Sequence, residues 1–356
     1  MFQMRKLRQY VALLLAGVGL SIGIAACAGG GGTTQTTASS EGGAAGQPVE
    51  LTFVSFAVTQ AAYEKVIPLF TTKWKQEKNQ DVTFNQSYGG SGSQTRAVID
   101  GLEADIVALA LALDTQKIEK AGLIEAGWEK ELPNDSIVTQ SVIALVTREG
   151  NPKNVESWDD LTRGDVKVIT ANPKTSGGAR WNFLGLWGSV AENPDDANAL
   201  QFTTDVFKNV PVLPKDAREA TDVFFKQNQG DVLLNYENEV LLAKQNGQVL
   251  PYVIPDPNIS IDNPIAVVDS YVDKHGTREV AEAFVQFLYT PEAQREFAKV
   301  GFRPVDTTVV QEFANEYPKI NNLSTVQDFG GWDTVQEKFF DDGAAFDKIQ
   351  AQAGRA

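Results

Sequence analysis

Residues 81–111 read DVTFNQSYGGSGSQTRAVIDGLEADIVALAL, and their rhythm changes twice. Asp81 to Tyr88 reads as a strand. GGSGSQTRAVIDGL (89–102) is a glycine-rich turn opening into a helix. Ala104 to Leu111, ADIVALAL, is almost continuously apolar, as a strand covered on both faces must be. Upstream, VELTFVSFA (49–57) reads as another strand. Ala62 to Gln76 follows as an amphipathic helix, with Ala62, Val66, Phe70 and Trp74 four residues apart and Pro68 inside it. Strand, helix, strand, helix, strand predicts an α/β layer.

The pattern repeats further along. Residues 137–147 (IVTQSVIALVT) and 250–268 (LPYVIPDPNISIDNPIAVV) are long strand-like passages. Between them lie VKVIT, a helix after SGG, ALQFTTDVFKNV, a helix after DAR, and GDVLLNY. Two further helices are expected at Thr277–Tyr289 and Thr290–Lys299, with Thr277 and Thr290 as N-caps and Pro291 in the first helical position. The expected architecture is α/β, with two open lobes joined by two chain crossings and a ligand cleft between them. Lobe 1 comprises 49–138 and 258–356; lobe 2, 139–257, is inserted into it.

The N-terminal residues carry Arg5, Lys6 and Arg8 and no acid, then run apolar from Val11 to Ile24. A membrane span needs about 20 apolar residues, so residues 1–27 read as a signal peptide rather than an anchor helix. Small residues before Cys27, the only cysteine, resemble a bacterial lipobox, in which that cysteine becomes the lipid-modified first residue. The alternative is an ordinary signal peptide with Cys27 incidental. Residues 28–48 are rich in Gly, Thr, Ser and Ala, a composition that forms a flexible linker. The 356 residues carry a net charge of −15, which argues against nucleic acid as a partner. No metal-ligand cluster of His and Cys and no phosphate-loop motif is present, so no metal or cofactor is expected.

Three stretches combine glycine, hydroxyls and a helix start: S87-YGGSGSQ, K174-TSGGAR and P214-KDAREAT. A helix N-terminus offers unpaired N–H groups and about half a positive charge. Glycine lets a ligand approach the backbone. Each stretch is therefore a candidate anion cradle or a plain helix cap. Together, across a cleft, they supply several uncharged donors to one small oxyanion.

YGGSGSQTRAVIDGLEADIVALAL and NPKTSGGARWNFLGLWG resemble the two signature stretches of the periplasmic sulfate-binding proteins, the solute-binding subunits of sulfate/thiosulfate ABC importers. DAREATDVFF, GDVLLNYENE and YTPEAQREFAKVGFRP continue the resemblance in order. It implies a type II periplasmic binding protein fold, a location on the periplasmic side, delivery to ABC permease subunits, and membrane contact through the N-terminal lipid only. It also implies a ligand set. Ser91 gives its backbone N–H and hydroxyl; Ser176 gives a hydroxyl; Gly177, Gly178 and Ala217 give N–H groups. Tyr236 stands where the family has a tryptophan indole. A phenol also donates one hydrogen bond, from a shorter ring, and can accept one. Ala57 stands where the family often has an acid. Arg180 reads either as a cation close behind the site or as a structural salt-bridge partner; Arg218 stays undecided.

Sulfate carries no proton at neutral pH, whereas phosphate does and needs an acceptor. YGGSGSQ and KTSGGAR contain no acid, which favours sulfate; Asp216 and Glu219 flank Ala217 and weaken that argument. Thiosulfate, molybdate and tungstate remain compatible. Two other classes are weighed. A serine hydrolase would use Ser91, but the one histidine, His275, reads as an exposed turn residue. A surface adhesin is supported by the tether alone. Trp181, Leu184 and Trp187 read as a core face or a ligand box.

Overall fold

A computed structural model describes residues 46–191, 196–249, 251–317 and 319–354. The signal peptide, Cys27 and the linker up to residue 45 lie outside the described residues. Gly46–Pro48, expected as linker, already belong to the first strand: β1 (Gly46–Phe56) pairs Gly46 with Gln80 before a register shift at Val49.

The first lobe begins as the sequence predicts: β1, α1 (Gln60–Lys78), β2 (Gln80–Gly89), α2 (Ser91–Ile99) and β3 (Ile106–Ala108). β1 runs parallel to both β2 and β3. Pro68 does not break α1. The bond its missing N–H would have made falls on Glu64, exposed like Pro68 itself, where water can serve the carbonyl. The apolar run 104–111 yields only three strand residues. Beyond Ala108 it leaves the sheet and enters α3 (Ala112–Lys120).

The passage 137–147 is two strands. β4 (Ile137–Ser141) and β5 (Ile143–Thr147) are separated by Val142, where the chain leaves one sheet for the other. The second lobe then adds β6 (Val168–Ile169), α4 (Gly177–Gly188), α5 (Ala197–Lys208), α6 (Ala217–Phe225), β7 (Val232–Tyr236), α7 (Glu237–Gln245) and β8 (Tyr252–Val253). The chain returns through β9 (Asn258–Ile259) and β10 (Ile261–Val267). The sheets have the orders β2-β1-β3-β10-β4 and β6-β7-β5-β8, both with mixed strand directions. Asn258 fastens the crossings together: its amide accepts from Ile143 N and donates to Ile143 O and Pro255 O.

α8 (Asp269–His275), α9 (Arg278–Phe287) and α10 (Pro291–Lys299) return to the first lobe. Phe284 of α9 packs against Phe53, Phe70 and Phe84. Thr290 caps α10 as expected, accepting from Ala293 N, with Pro291 at its start. Thr277 occupies the N-cap position of α9 but spends its hydroxyl on the buried Asp105, 2.6 Å away.

After α11 (Thr307–Glu312), β11 (Leu323–Ser324) pairs with β9. α12 (Gly331–Val335), a π-helical turn at Gln336–Phe340 and α13 (Ala345–Gln352) follow. Their contacts differ from the expected assignment of 258–356 to lobe 1. Phe339, Phe340 and Phe346 surround Phe183 of α4 at centroid distances of 5.5, 5.2 and 6.1 Å. The reason is apolar area: α4 is buried on every side from Gly177 to Trp187, and the chain's tail supplies part of that cover. Each buried Phe contributes about 1.5–3 kcal/mol.

Candidate functional site

Strands β1, β2, β3, β6 and β7 are each followed in the chain by a helix. Ser91 is the first residue of α2, Gly177 and Gly178 the first two of α4, and Ala217 the first of α6. Their N–H groups lie in first turns, where no intrahelical acceptor exists. Ser176 caps α4: its Oγ accepts from Ala179 N at 3.3 Å, which leaves the hydroxyl proton for another acceptor.

The three turns meet. A Cβ placed on Gly177 would lie 2.6 Å from Ala110 Cβ and 3.2 Å from Ser91 Cβ. One on Gly90 would lie 2.8 Å from Thr175 O, 3.3 Å from Lys215 O and 3.5 Å from Asp216 Cβ. One on Gly178 would lie 2.6 Å from Tyr236 Cε2 and 2.9 Å from its Oη. The absence of side chains is thus what lets α2, α4, α6 and the end of β7 share one space. Thr175 Oγ1 donates to Lys215 O at 2.6 Å and joins the two second-lobe turns.

Tyr236 is 2 % exposed, and its hydroxyl has no hydrogen-bond partner among the described residues. Burial, with the negative charges of Glu239 and Asp114 behind it, pushes its pKa well above the usual phenol range, so it stays a donor. An unpaired buried hydroxyl costs about 1–3 kcal/mol. Asn235 holds the neighbourhood: its amide donates to Ala217 O and Thr221 Oγ1 and accepts from Tyr236 N.

The acids near the site are turned to other work. Asp216 Oδ1 accepts from Glu219 N at 2.8 Å, and Glu219 Oε2 accepts from Lys215 N at 2.7 Å, a reciprocal cap on α6. Asp114, which the sequence reading did not single out, is 1 % exposed beneath Ser91. Ser91 Oγ donates to Asp114 Oδ2 at 2.7 Å and accepts from Ala110 N at 3.0 Å. The Ser91 hydroxyl proton is therefore committed, contrary to the expectation that it faces the ligand; the backbone N–H remains.

Arg180 is buried, but its head points away from the turns' N–H groups. Nε donates to Pro173 O and Nη1 to Gln336 Oε1, and the guanidinium lies over the Phe340 ring. Among the described residues it makes no ion pair, so neutral acceptors replace the expected salt bridge. Arg218 instead makes the two-pronged pair, with the buried Glu239 at 3.0 and 2.8 Å.

His275 is exposed, as expected, but lies in a helix rather than a turn. It ends α8, with Nδ1 2.9 Å from Asp105 Oδ1 and Nε2 3.0 Å from Glu103 Oε2. With its ring engaged there, it is not the base of Ser91. Trp181, Leu184 and Trp187 are core residues of α4. The turn Ala57–Thr59, where the family often has an acid at Ala57, also reaches the site: it packs on α6, and Phe56 lies 6.0 Å from the Tyr236 ring. Its signal was available, since SFAVTQ is a strand-to-helix turn like the other three.

A family model described as bacterial extracellular solute-binding protein matches residues 51–303. The chain belongs to that family. Among its relatives, a sulfate-binding protein of Synechococcus elongatus is 61 % identical over 94 % of each chain. A sulfate-binding protein of Synechocystis is 64 % identical over 86 % of this chain and 88 % of its own. Among solved structures, the sulfate-binding protein SubI from Mycobacterium tuberculosis superposes with a TM-score of 0.76 at 36 % identity, covering 82 % of this chain and all of that one. The two-lobed α/β architecture is thus that of the extracellular solute-binding proteins. No helix among the described residues is long and apolar enough to cross a membrane.

Proposed function

We propose that this solute-binding protein captures sulfate between its lobes and hands it, chemically unchanged, to an ABC-type permease. The donors are the N–H groups of Ser91, Gly177, Gly178 and Ala217 and the hydroxyls of Ser176 and Tyr236. The observation that carries the reading is the meeting of three helix first turns around a buried phenol whose hydroxyl has no partner. Stripping a dianion of water is costly unless every lone pair is met, and each hydrogen bond to a charged group returns about 1.5–3 kcal/mol. Uncharged donors do this without a cation, and a donor-only shell favours an anion with no proton of its own. The sulfate-binding relatives support the choice of ion. The chain acts on the outer side of the cytoplasmic membrane, tethered through a lipid on Cys27, and performs no catalysis.

Calorimetric titration with sulfate, thiosulfate, molybdate and phosphate tests the reading. Saturable heat is expected with sulfate, weaker heat with thiosulfate, and none with phosphate at neutral pH. No heat with sulfate overturns it. One observation favours a second reading: Asp114 Oδ1 is buried without a hydrogen bond, with Lys117 Nζ 3.6 Å away as its ion-pair partner. That acceptor would suit a protonated oxyanion, and tight phosphate binding lost in Asp114→Asn would select it.

A further inference from the structure

We infer that Trp181 is a positioning residue for the oxyanion site, acting across the cleft through the backbone of Ala110 and the Ser91 side chain. The inference rests on the sulfate reading. Trp181 lies on α4, three residues after Gly178, and is fully buried. Its indole Nε1 donates to Ala110 O at 2.8 Å. Ala110 belongs to the opposite lobe, just past β3, and its own N–H donates to Ser91 Oγ at 3.0 Å. Ser91 Oγ in turn donates to Asp114 Oδ2 at 2.7 Å. Through the backbone of Ala110 these bonds link α4 to Ser91, the first residue of α2, beside which Gly177 lies: a Cβ on Gly177 would be 3.2 Å from that of Ser91.

A buried indole N–H needs some acceptor in any core. Two facts set this one apart. The acceptor sits on the other lobe, in the turn that fixes Ser91. It is also satisfied without Trp181, because Asn263 Nδ2 donates to the same Ala110 O at 3.2 Å. Removing the indole N–H therefore strands no buried carbonyl. What is lost is a tie between lobes that holds Ser91 against Gly177. A tie of this kind resists separation of the assembled site, so it acts on ligand release. Capture, which precedes assembly of the tie, is unaffected.

The test uses the full chain and radiolabelled sulfate in rapid-mixing and filter-binding measurements. Trp181→Phe keeps an aromatic ring against Trp332, its neighbour at 4.7 Å. Sulfate is expected to leave about tenfold faster, the factor that one lost hydrogen bond of ordinary strength carries, with association within about twofold of the parent. Ser91→Ala breaks the chain from the other end, outside the α4 core, while keeping the backbone N–H, and is expected to speed release by a similar factor. With Ser91→Ala in place, adding Trp181→Phe should change release by less than about twofold, because the route to the ion is already cut. A purely structural role for Trp181 predicts independent, multiplying factors instead. That result, or an unchanged release rate in either single variant, overturns the inference while leaving the sulfate reading intact. Absence of sulfate binding by the parent chain overturns both. Should Trp181→Phe not fold, an unchanged release rate in Ser91→Ala is sufficient to refute it.

Discussion

Replacing Gly178 with alanine adds one methyl group at a tight point of the site. That carbon would stand 2.6 Å from Tyr236 Cε2, 3.0 Å from Cζ and 2.9 Å from Oη. Carbon atoms pack at about 3.5–4.0 Å, so the phenol must retreat by about 1 Å. Tyr236 has no slack: it is 2 % exposed, with Phe56 against it. A hydrogen bond stretched from about 2.8 to about 3.8 Å is lost. Losing one bond to a charged acceptor costs about 1.5–3 kcal/mol, a rise in Kd of about 10- to 150-fold. Tyr236→Phe alone should cost about the same by removing the donor directly. Calorimetric titration of sulfate into both single variants and the double variant reads the result. In the Gly178→Ala background the further change at Tyr236 should cost almost nothing. Affinity within about twofold of the parent for Gly178→Ala, with the melting temperature unchanged, would refute the geometry on which the donor set rests.

Sulfate affinity should stay flat from about pH 6 to about pH 9, because sulfate has no proton to lose and burial holds the Tyr236 phenol above that window; a break in titrations across that range would point to an ionising ligand group. Arg303→Met leaves the Glu237 carboxylate, 1 % exposed, without the arginine that contacts it at 2.7 and 3.0 Å. Urea melts should show a loss of about 3–5 kcal/mol, and a loss below about 1 would show that the pair does little. His275 has its pKa raised by hydrogen bonds to Asp105 first and Glu103 second. Its contribution is therefore full below the unfolded value of about 6.5 and fades as pH rises through the folded one. The melting-temperature gap between the parent and His275→Gln should be wider at about pH 6 than at about pH 9; a gap that widens with pH would reverse the sign of the argument.

Local signals carried much of this. Period-two and period-four patterns mark β1 and α1, the glycine-rich turn marks the start of α2, and the Thr290-Pro291 pair marks the start of α10. Glycine beside hydroxyl before a helix marked the three turns, because close backbone approach leaves a compositional trace. Side-chain partners over long distances leave none. Asp114 reads as an ordinary acid in a first helical turn, and only folding puts Ser91 above it, 23 positions earlier in the chain. His275 sits in a polar stretch, yet Asp105 lies 170 residues away in sequence. The apolar run 104–111 looked like one strand because burial, not pairing, dictates its composition.

The packing of Phe339, Phe340 and Phe346 around Phe183 has a consequence for synthesis. A ribosome makes α4 some 160 residues before it makes α13, so the hydrophobic centre of the inserted half waits, unfinished, for the last helix. The outer half waits likewise for β10 and the helices after it. Neither half can complete its core early on the nascent chain.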